Sequence, residues 1–200
     1  MAKDSIEGTI ERYNETAADY AKNRYDLSKY PQVIKDLYKF VTYTNPNDLV
    51  LDVGCGPGRD MNYFLGNGRR AMGIDFSQEM INEAKKRVYA EVLHMDMRRM
   101  LFEDEMFDGI WSCASFLHIP KSESMQTLQE FRRVLKPKGL LYISVREGTG
   151  ENVNDGKFYS NYHRSKYGRK IDILKTGCSN IFNGPMWIFC SCKKCAVILS

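Results

Sequence analysis

The chain of 200 residues has no apolar run near the ~20 residues that a membrane-spanning helix needs. Its opening stretch, MAKDSIEGTIERYNE, has no apolar core of the kind an export signal carries, so secretion is not expected. Without such a signal, the six cysteines are expected to be thiols rather than disulfides. Cys195, near the apolar end AVILS, makes no prenylation signal. Internal repeats and low-complexity stretches are also missing. What is present is ordinary: 43% apolar and 27% charged residues, which excludes disorder, collagen and coiled coil. The expectation is one cytoplasmic domain over residues 1–200, long enough to bury a substantial core.

The net charge of +4 is unevenly placed. Residues 151–200 hold eight Lys/Arg against three Asp/Glu, and the rest of the chain is close to neutral. That excludes a uniformly basic nucleic-acid binder and leaves a local basic patch. Its source is the stretch from His163 to Lys170, which reads either as a solvated helix face or as a grip on phosphates.

Residues 4–23 carry Ile6, Ile10, Tyr13, Ala17 and Tyr20 at helical spacing. A second helix is expected from Pro31, with Val33, Ile34, Leu37, Phe40 and Val41 on its apolar face. Strands and helices then alternate. Strands are expected at Leu49–Val53, Arg70–Asp75, Glu91–Met95, Phe107–Cys113 and Leu140–Val145. Helices are expected over 58–66, from the cap Ser77 to Val88, and from Ser122 to Lys136. This order calls for a doubly wound parallel sheet with helices on both faces. Beyond Gly150 a helix over 164–176 and strands at Ser179–Phe182 and Met186–Cys192 are expected, one of the two strands running antiparallel.

The chemistry concentrates in Leu51-Asp52-Val53-Gly54-Cys55-Gly56-Pro57-Gly58, where a strand enters a glycine-rich turn and a helix leaves it. A dinucleotide fingerprint needs Gly or Ala where this chain has Arg59, and a P-loop needs Gly-Lys-Ser/Thr where it has Arg59-Asp60-Met61. Asp52 before the glycines suits an ammonium or hydroxyl groups better than a pyrophosphate. Asp75 closes the second strand, where an acid can take both hydroxyls of a ribose. Asp96 follows the third strand and can accept from an exocyclic amine, and Ser112-Cys113 ends the fourth. All fall at carboxyl ends of strands, where such sheets bind ligands.

LDVGCGPG, GIDFS, the acid of HMDM, FDGIWSCASFLHIP and LKPKGLLYISV together resemble the class I S-adenosylmethionine-dependent methyltransferases, over Leu49 to Val145. The resemblance implies a Rossmann-like, seven-stranded, mostly parallel sheet with its last strand antiparallel, and an N-terminal helical lid. It implies S-adenosyl-L-methionine as cofactor and S-adenosyl-L-homocysteine as product. Residue by residue, Gly54, Cys55, Gly56 and Gly58 would pack on the methionine part, with Asp52 orienting its ammonium through water. Asp75 would hold the ribose. Phe76 and Met97 would sandwich the adenine, with Asp96 accepting from its amine. The Ser112–Cys113 backbone would face the ammonium and the departing sulfur. From the lid, Tyr13, Tyr20 or Arg24 would reach the cofactor's carboxylate or line the acceptor pocket.

Ser-Cys-Ala-Ser after the fourth strand replaces the Asn/Asp-Pro-Pro-Tyr run of enzymes that methylate base or glutamine amines, which favours a small-molecule acceptor over nucleic acid. His118 can serve as a base toward an oxygen or nitrogen acceptor. Cys178, Cys190, Cys192 and Cys195 do not match a common zinc pattern, so no metal is expected. The competing readings are an RNA (tRNA)-modifying methyltransferase, a non-catalytic S-adenosylmethionine-binding protein and, last, a nicotinamide-dependent oxidoreductase.

Overall fold

The computed structural model describes residues 2–162, 190–191 and 194–199, with side chains from Ile6 to Tyr162. The first helix, α1 (Ala2–Arg24), is followed by α2 (Pro31–Thr42), which has Pro31 in its first turn. Strands β1 (Leu49–Val53), β2 (Arg70–Asp75) and β3 (Glu91–His94) are linked by α3 (Arg59–Gly66) and α4 (Gln78–Lys85). Ser77 caps α4, its side chain accepting from the Met80 N–H, and Glu79 lies in the first turn. Strand β4 (Phe107–Cys113) leads through a 3-10 turn, Phe116–His118, to α5 (Lys121–Val134) and β5 (Leu135–Glu147).

Parallel pairing runs β3-β2-β1-β4-β5, continued by β7 (Lys157–Tyr162) and β6 (Glu151–Asn154). The last strand of this seven-strand path, β6, is antiparallel to its neighbour. Beside it, β9 (Lys194–Leu199) runs antiparallel to β5 and pairs with the short β8 (Cys190–Ser191). Because β1 has β2 on one side and β4 on the other, the strand order reverses there, opening a crevice at the carboxyl ends of β1 and β4.

Side chains alternate across the sheet, as its period of two requires. Leu51, Val53, Ile110 and Leu141 face one core with Phe116, Leu128, Phe131 and Val134. Val50, Trp111, Leu140 and Tyr142 face the other with Leu37, Phe40, Met61, Phe64 and Ile81.

Three expectations are corrected. The helix expected to reach Lys136 ends at Val134, and β5 starts at Leu135, not Leu140. Pro137 bars helical backbone at the residue before it, so the chain extends early. A hairpin, β6–β7, fills the region after Gly150, turning at Asp155-Gly156 with φ of 51° and 69°. The antiparallel partner of β5 is 194–199, later than either expected strand. Residues 164–176 and 179–182 lie outside the described residues, as does most of 186–192. Among the described residues no helix is long and apolar enough to cross a membrane.

Candidate functional site

The loop after β1 folds back on β2: the N–H groups of Gly54 and Cys55 both donate to the Ile74 carbonyl. Gly54 has φ 70°, and a Cβ there would stand 2.3 Å from Ser115 Cβ, so the loop closes tightly on the segment after β4. Gly58 is different. A Cβ on it would meet Val88 Cγ2 at 2.2 Å, so it seats α3 on the end of the α4 segment and lines neither cavity described below.

A cavity of about 110 Å³ opens at the carboxyl ends of the strands. Of the residues singled out in the sequence, Gly54, Gly56, Asp75, Phe76, Asp96, Met97 and Cys113 line it, and α1 contributes Tyr13 and Tyr20. Asp75 accepts from the N–H of Gly56 at 2.9 Å and of Ser77 at 2.9 Å, which fixes its carboxylate between the glycine loop and the start of α4. Burial nonetheless raises its carboxyl above the usual range. Asp96 is gripped by Arg98, whose Nη2 lies 2.6 Å from Oδ2, while Arg98 Nη1 reaches Glu123 at 2.7 Å. Arg98 also lies against the Phe76 ring, 6.0 Å from its centroid.

A smaller cavity of about 40 Å³ shares Tyr20, Gly54, Gly56 and Cys113 with the first and adds Arg24, Asp52, Cys55, Arg59 and Asp60. Asp52 is 2% exposed, and its Oδ2 has no hydrogen-bond partner among the described residues. Burial holds the Asp52 carboxyl well above its ordinary value; nearby Asp60 adds to this and Arg59 opposes it. Arg59 Nε bonds Asp60 Oδ1 at 2.6 Å, and Trp111 Nε1 donates to Asp60 Oδ2 at 2.9 Å. Trp111 in turn stacks on Tyr142 at 3.7 Å, whose hydroxyl donates to Asp36. These contacts link α2 to Arg59 along one face of the sheet. An unpaired buried carboxyl oxygen in a recess also lined by two arginines is a donor and acceptor set for a zwitterion, an ammonium on Asp52 and a carboxylate on Arg24 or Arg59.

Ser112 does not line either cavity. It is fully buried and bonds Ser115 Oγ at 2.7 Å, and Ser115 Oγ donates to the Val53 carbonyl. His118 lines the larger cavity, with both ring nitrogens engaged. Nδ1 sits 2.6 Å from the Phe158 carbonyl and must carry the proton, so Nε2, 3.0 Å from the Tyr13 hydroxyl, accepts from it. Burial lowers His118 to about 4, keeping it neutral, and raises the Tyr13 hydroxyl well above its ordinary value. Arg59, Arg98 and Ser115 were not singled out as ligand residues by the sequence. Arg59 served there only to reject a fingerprint.

Residues 50–139 match the family described as "Methyltransferase domain". Over 148 residues the chain is 30% identical to malonyl-[acyl-carrier protein] O-methyltransferase of Buchnera aphidicola, covering 72% of this chain and 58% of that one. Over 109 residues it is 32% identical to the probable tRNA methyltransferase 9B of Mus musculus, covering 54% and 24%. Residues 50–139 carry a methyltransferase domain. The chain spans less than two thirds of the length of either relative. Its fold is shared with the Burkholderia thailandensis 1,6-didemethyltoxoflavin-N1-methyltransferase, solved with 1,6-didemethyltoxoflavin and S-adenosylhomocysteine bound. The TM-score is 0.65 at 16% identity, covering 94% of this chain and 87% of that one.

Proposed function

We propose that the protein transfers a methyl group from S-adenosylmethionine to a small-molecule acceptor. The observation that carries this reading is the unpaired, buried Asp52 Oδ2 beside the Gly54–Gly56 turn, in a recess that also holds Arg24 and Arg59. When bound, the cofactor supplies a methyl group already activated on a sulfonium. Asp52 accepts from its ammonium, and Arg24 and Arg59 take its carboxylate. Asp75 keeps lone pairs for the ribose hydroxyls while the Gly56 and Ser77 N–H groups hold it in place. Phe76 and Met97 flank the adenine, and Asp96, oriented by Arg98, accepts from its amine.

The protein's share of the catalysis is alignment and exclusion of water, for which proximity alone can contribute roughly 7–11 kcal/mol. Helix α1 supports this role: Ile6, Ile10, Tyr13 and Tyr20 form a wall of the cavity. A wall made by the chain's own helix favours a small acceptor over a polynucleotide. The RNA-modifying alternative rests on residues 163–170, of which Tyr162's successors lie outside the described residues.

Formation of S-adenosylhomocysteine with a panel of small acceptors tests the reading. Turnover with at least one acceptor, lost in Asp75→Ala, is expected. Cofactor binding with no turnover on small acceptors but turnover on tRNA would replace the acceptor class.

A further inference from the structure

The part of the larger cavity farthest along α1 and the Phe116–His118 turn differs chemically from the cofactor walls. Ile6, Ile10, Ala114 and Ile119 make it apolar, with Tyr13 and His118 as its aromatic groups. The carboxylates that line the cavity among the described residues are Asp75 and Asp96, both at the ends of cofactor-side strands and both satisfied, by backbone N–H groups and by Arg98. No acid is left for a cationic acceptor to pair with.

The aromatic faces are committed as well. Lys157 Nζ lies 4.1 Å from the centroid of Tyr13 and 5.8 Å from that of Tyr20. Arg24 lies 6.0 Å from the Tyr20 centroid. Behind His118, the ring of Tyr159 stands 4.9 Å away and carries Arg146 at 3.7 Å. An ammonium guest would have to share rings whose negative faces already hold a cation. Lys157 and Arg146 form no ion pair with a carboxylate among the described residues; Asp155, beside Lys157 in sequence, is taken by Arg12 at 2.9 Å. Neither side chain lines the cavity and Asp155 offsets Lys157 in part, but both cations act on His118, so the local field at His118 is positive.

His118 offers no free base. Its one lone pair receives the Tyr13 hydroxyl proton, and its other nitrogen is held by a carbonyl that can only accept. Protonating it would place a third cation beside Lys157 and Arg146, whose fields already push it down. An alcohol or a protonated amine would have to lose a proton to react, and among the described residues this end of the cavity has no free base placed to receive it.

We propose that the methyl acceptor is an organic anion with an apolar body, held by the positive field of Lys157 and Arg146 with its apolar part against Ile6, Ile10 and Ile119. This rests on the methyltransferase reading. The anion's lone pair forms the new bond to the methyl carbon as the carbon–sulfur bond breaks with its electron pair returning to sulfur. A carboxylate, thiolate or enolate does so without a proton to move. His118 is then a positioning residue that fixes the Tyr13 hydroxyl.

Octanoate, octanol and octylamine differ in charge at equal chain length and serve as probes. Each is titrated by calorimetry into protein saturated with S-adenosylhomocysteine, using the wild type and Lys157→Glu. Octanoate is expected to bind at least about tenfold more tightly than octylamine and to weaken by about tenfold in the variant, as loss of a partly desolvated charge partner implies. S-adenosylhomocysteine affinity, measured on both proteins beforehand, checks that the variant retains the cofactor site. Octylamine binding as tightly as octanoate overturns the proposal, as does indifference of octanoate to Lys157→Glu or failure of all three probes to bind. Failure of S-adenosylhomocysteine itself to bind overturns the methyltransferase reading and this proposal with it.

Discussion

Asp52 is shut away from water with one oxygen unpaired, and burial raises its carboxyl well above the usual range. An ammonium ligand binds the ionised form. Cofactor affinity should therefore climb as pH rises through that elevated value and then level off. Asp52→Asn should remove the climb and cost roughly 1.5–3 kcal/mol of binding on the plateau, the value of a hydrogen bond to a charged group. Calorimetry across a pH series reads both. His118 makes the opposite kind of contribution. Unfolded, its imidazole titrates near 6.5, and folded near 4, so between these values the unfolded chain takes up a proton that the fold refuses. Stability should fall as pH drops from about 6.5 to about 4, by about 3 kcal/mol in all. His118→Gln should lose that slope in denaturant titrations. Asp75 and Asp96 could be read from the sequence because strand ends announce themselves locally. The side-chain bond of Ser112 could not be read, because its partner is a serine three residues on whose own hydroxyl is aimed at β1.

At the scale of elements, α1 is fastened to the β6–β7 hairpin on one side and to α4 on the other. Thr9 Oγ1 accepts from the buried Phe158 N–H at 2.8 Å, and Asn14 Oδ1 accepts from Ser77 Oγ at 2.7 Å. Thr9→Val keeps the shape and leaves the Phe158 donor unpaired. It should cost about 1–3 kcal/mol of stability, and it should speed release of S-adenosylhomocysteine in stopped-flow measurements. Trp111→Phe should cost roughly 1.5–3 kcal/mol by removing one of the two donors to buried Asp60 Oδ2 and leaving Arg59 Nη2, at 3.1 Å, as the other. The hairpin itself escaped the sequence reading for a physical reason. β6 is Glu-Asn-Val-Asn, exposed throughout, so it carries no apolar alternation, and the only local signal was the Asp155-Gly156 pair. β7 alternates properly, with Phe158, Ser160 and Tyr162 buried, but its serine hides the pattern.

For the whole molecule, the regular succession of strand and helix between Leu49 and Val145 made the parallel sheet legible, since each buried strand is short, apolar and ends in a turn. The end of the sheet was harder to read. Residues 194–199 look like an apolar tail until β5 is seen to offer them an edge. The reversal of strand order between β2 and β4 sets where a ligand sits, and the cavities lie there. The most direct test of the account is calorimetry of the wild-type protein with S-adenosylmethionine, S-adenosylhomocysteine and NAD. Binding of the first two at one per chain, with NAD at least about 100-fold weaker, is the predicted result, since Arg59 stands where the dinucleotide fingerprint needs a small residue. Tight binding of NAD with none of S-adenosylmethionine would contradict it.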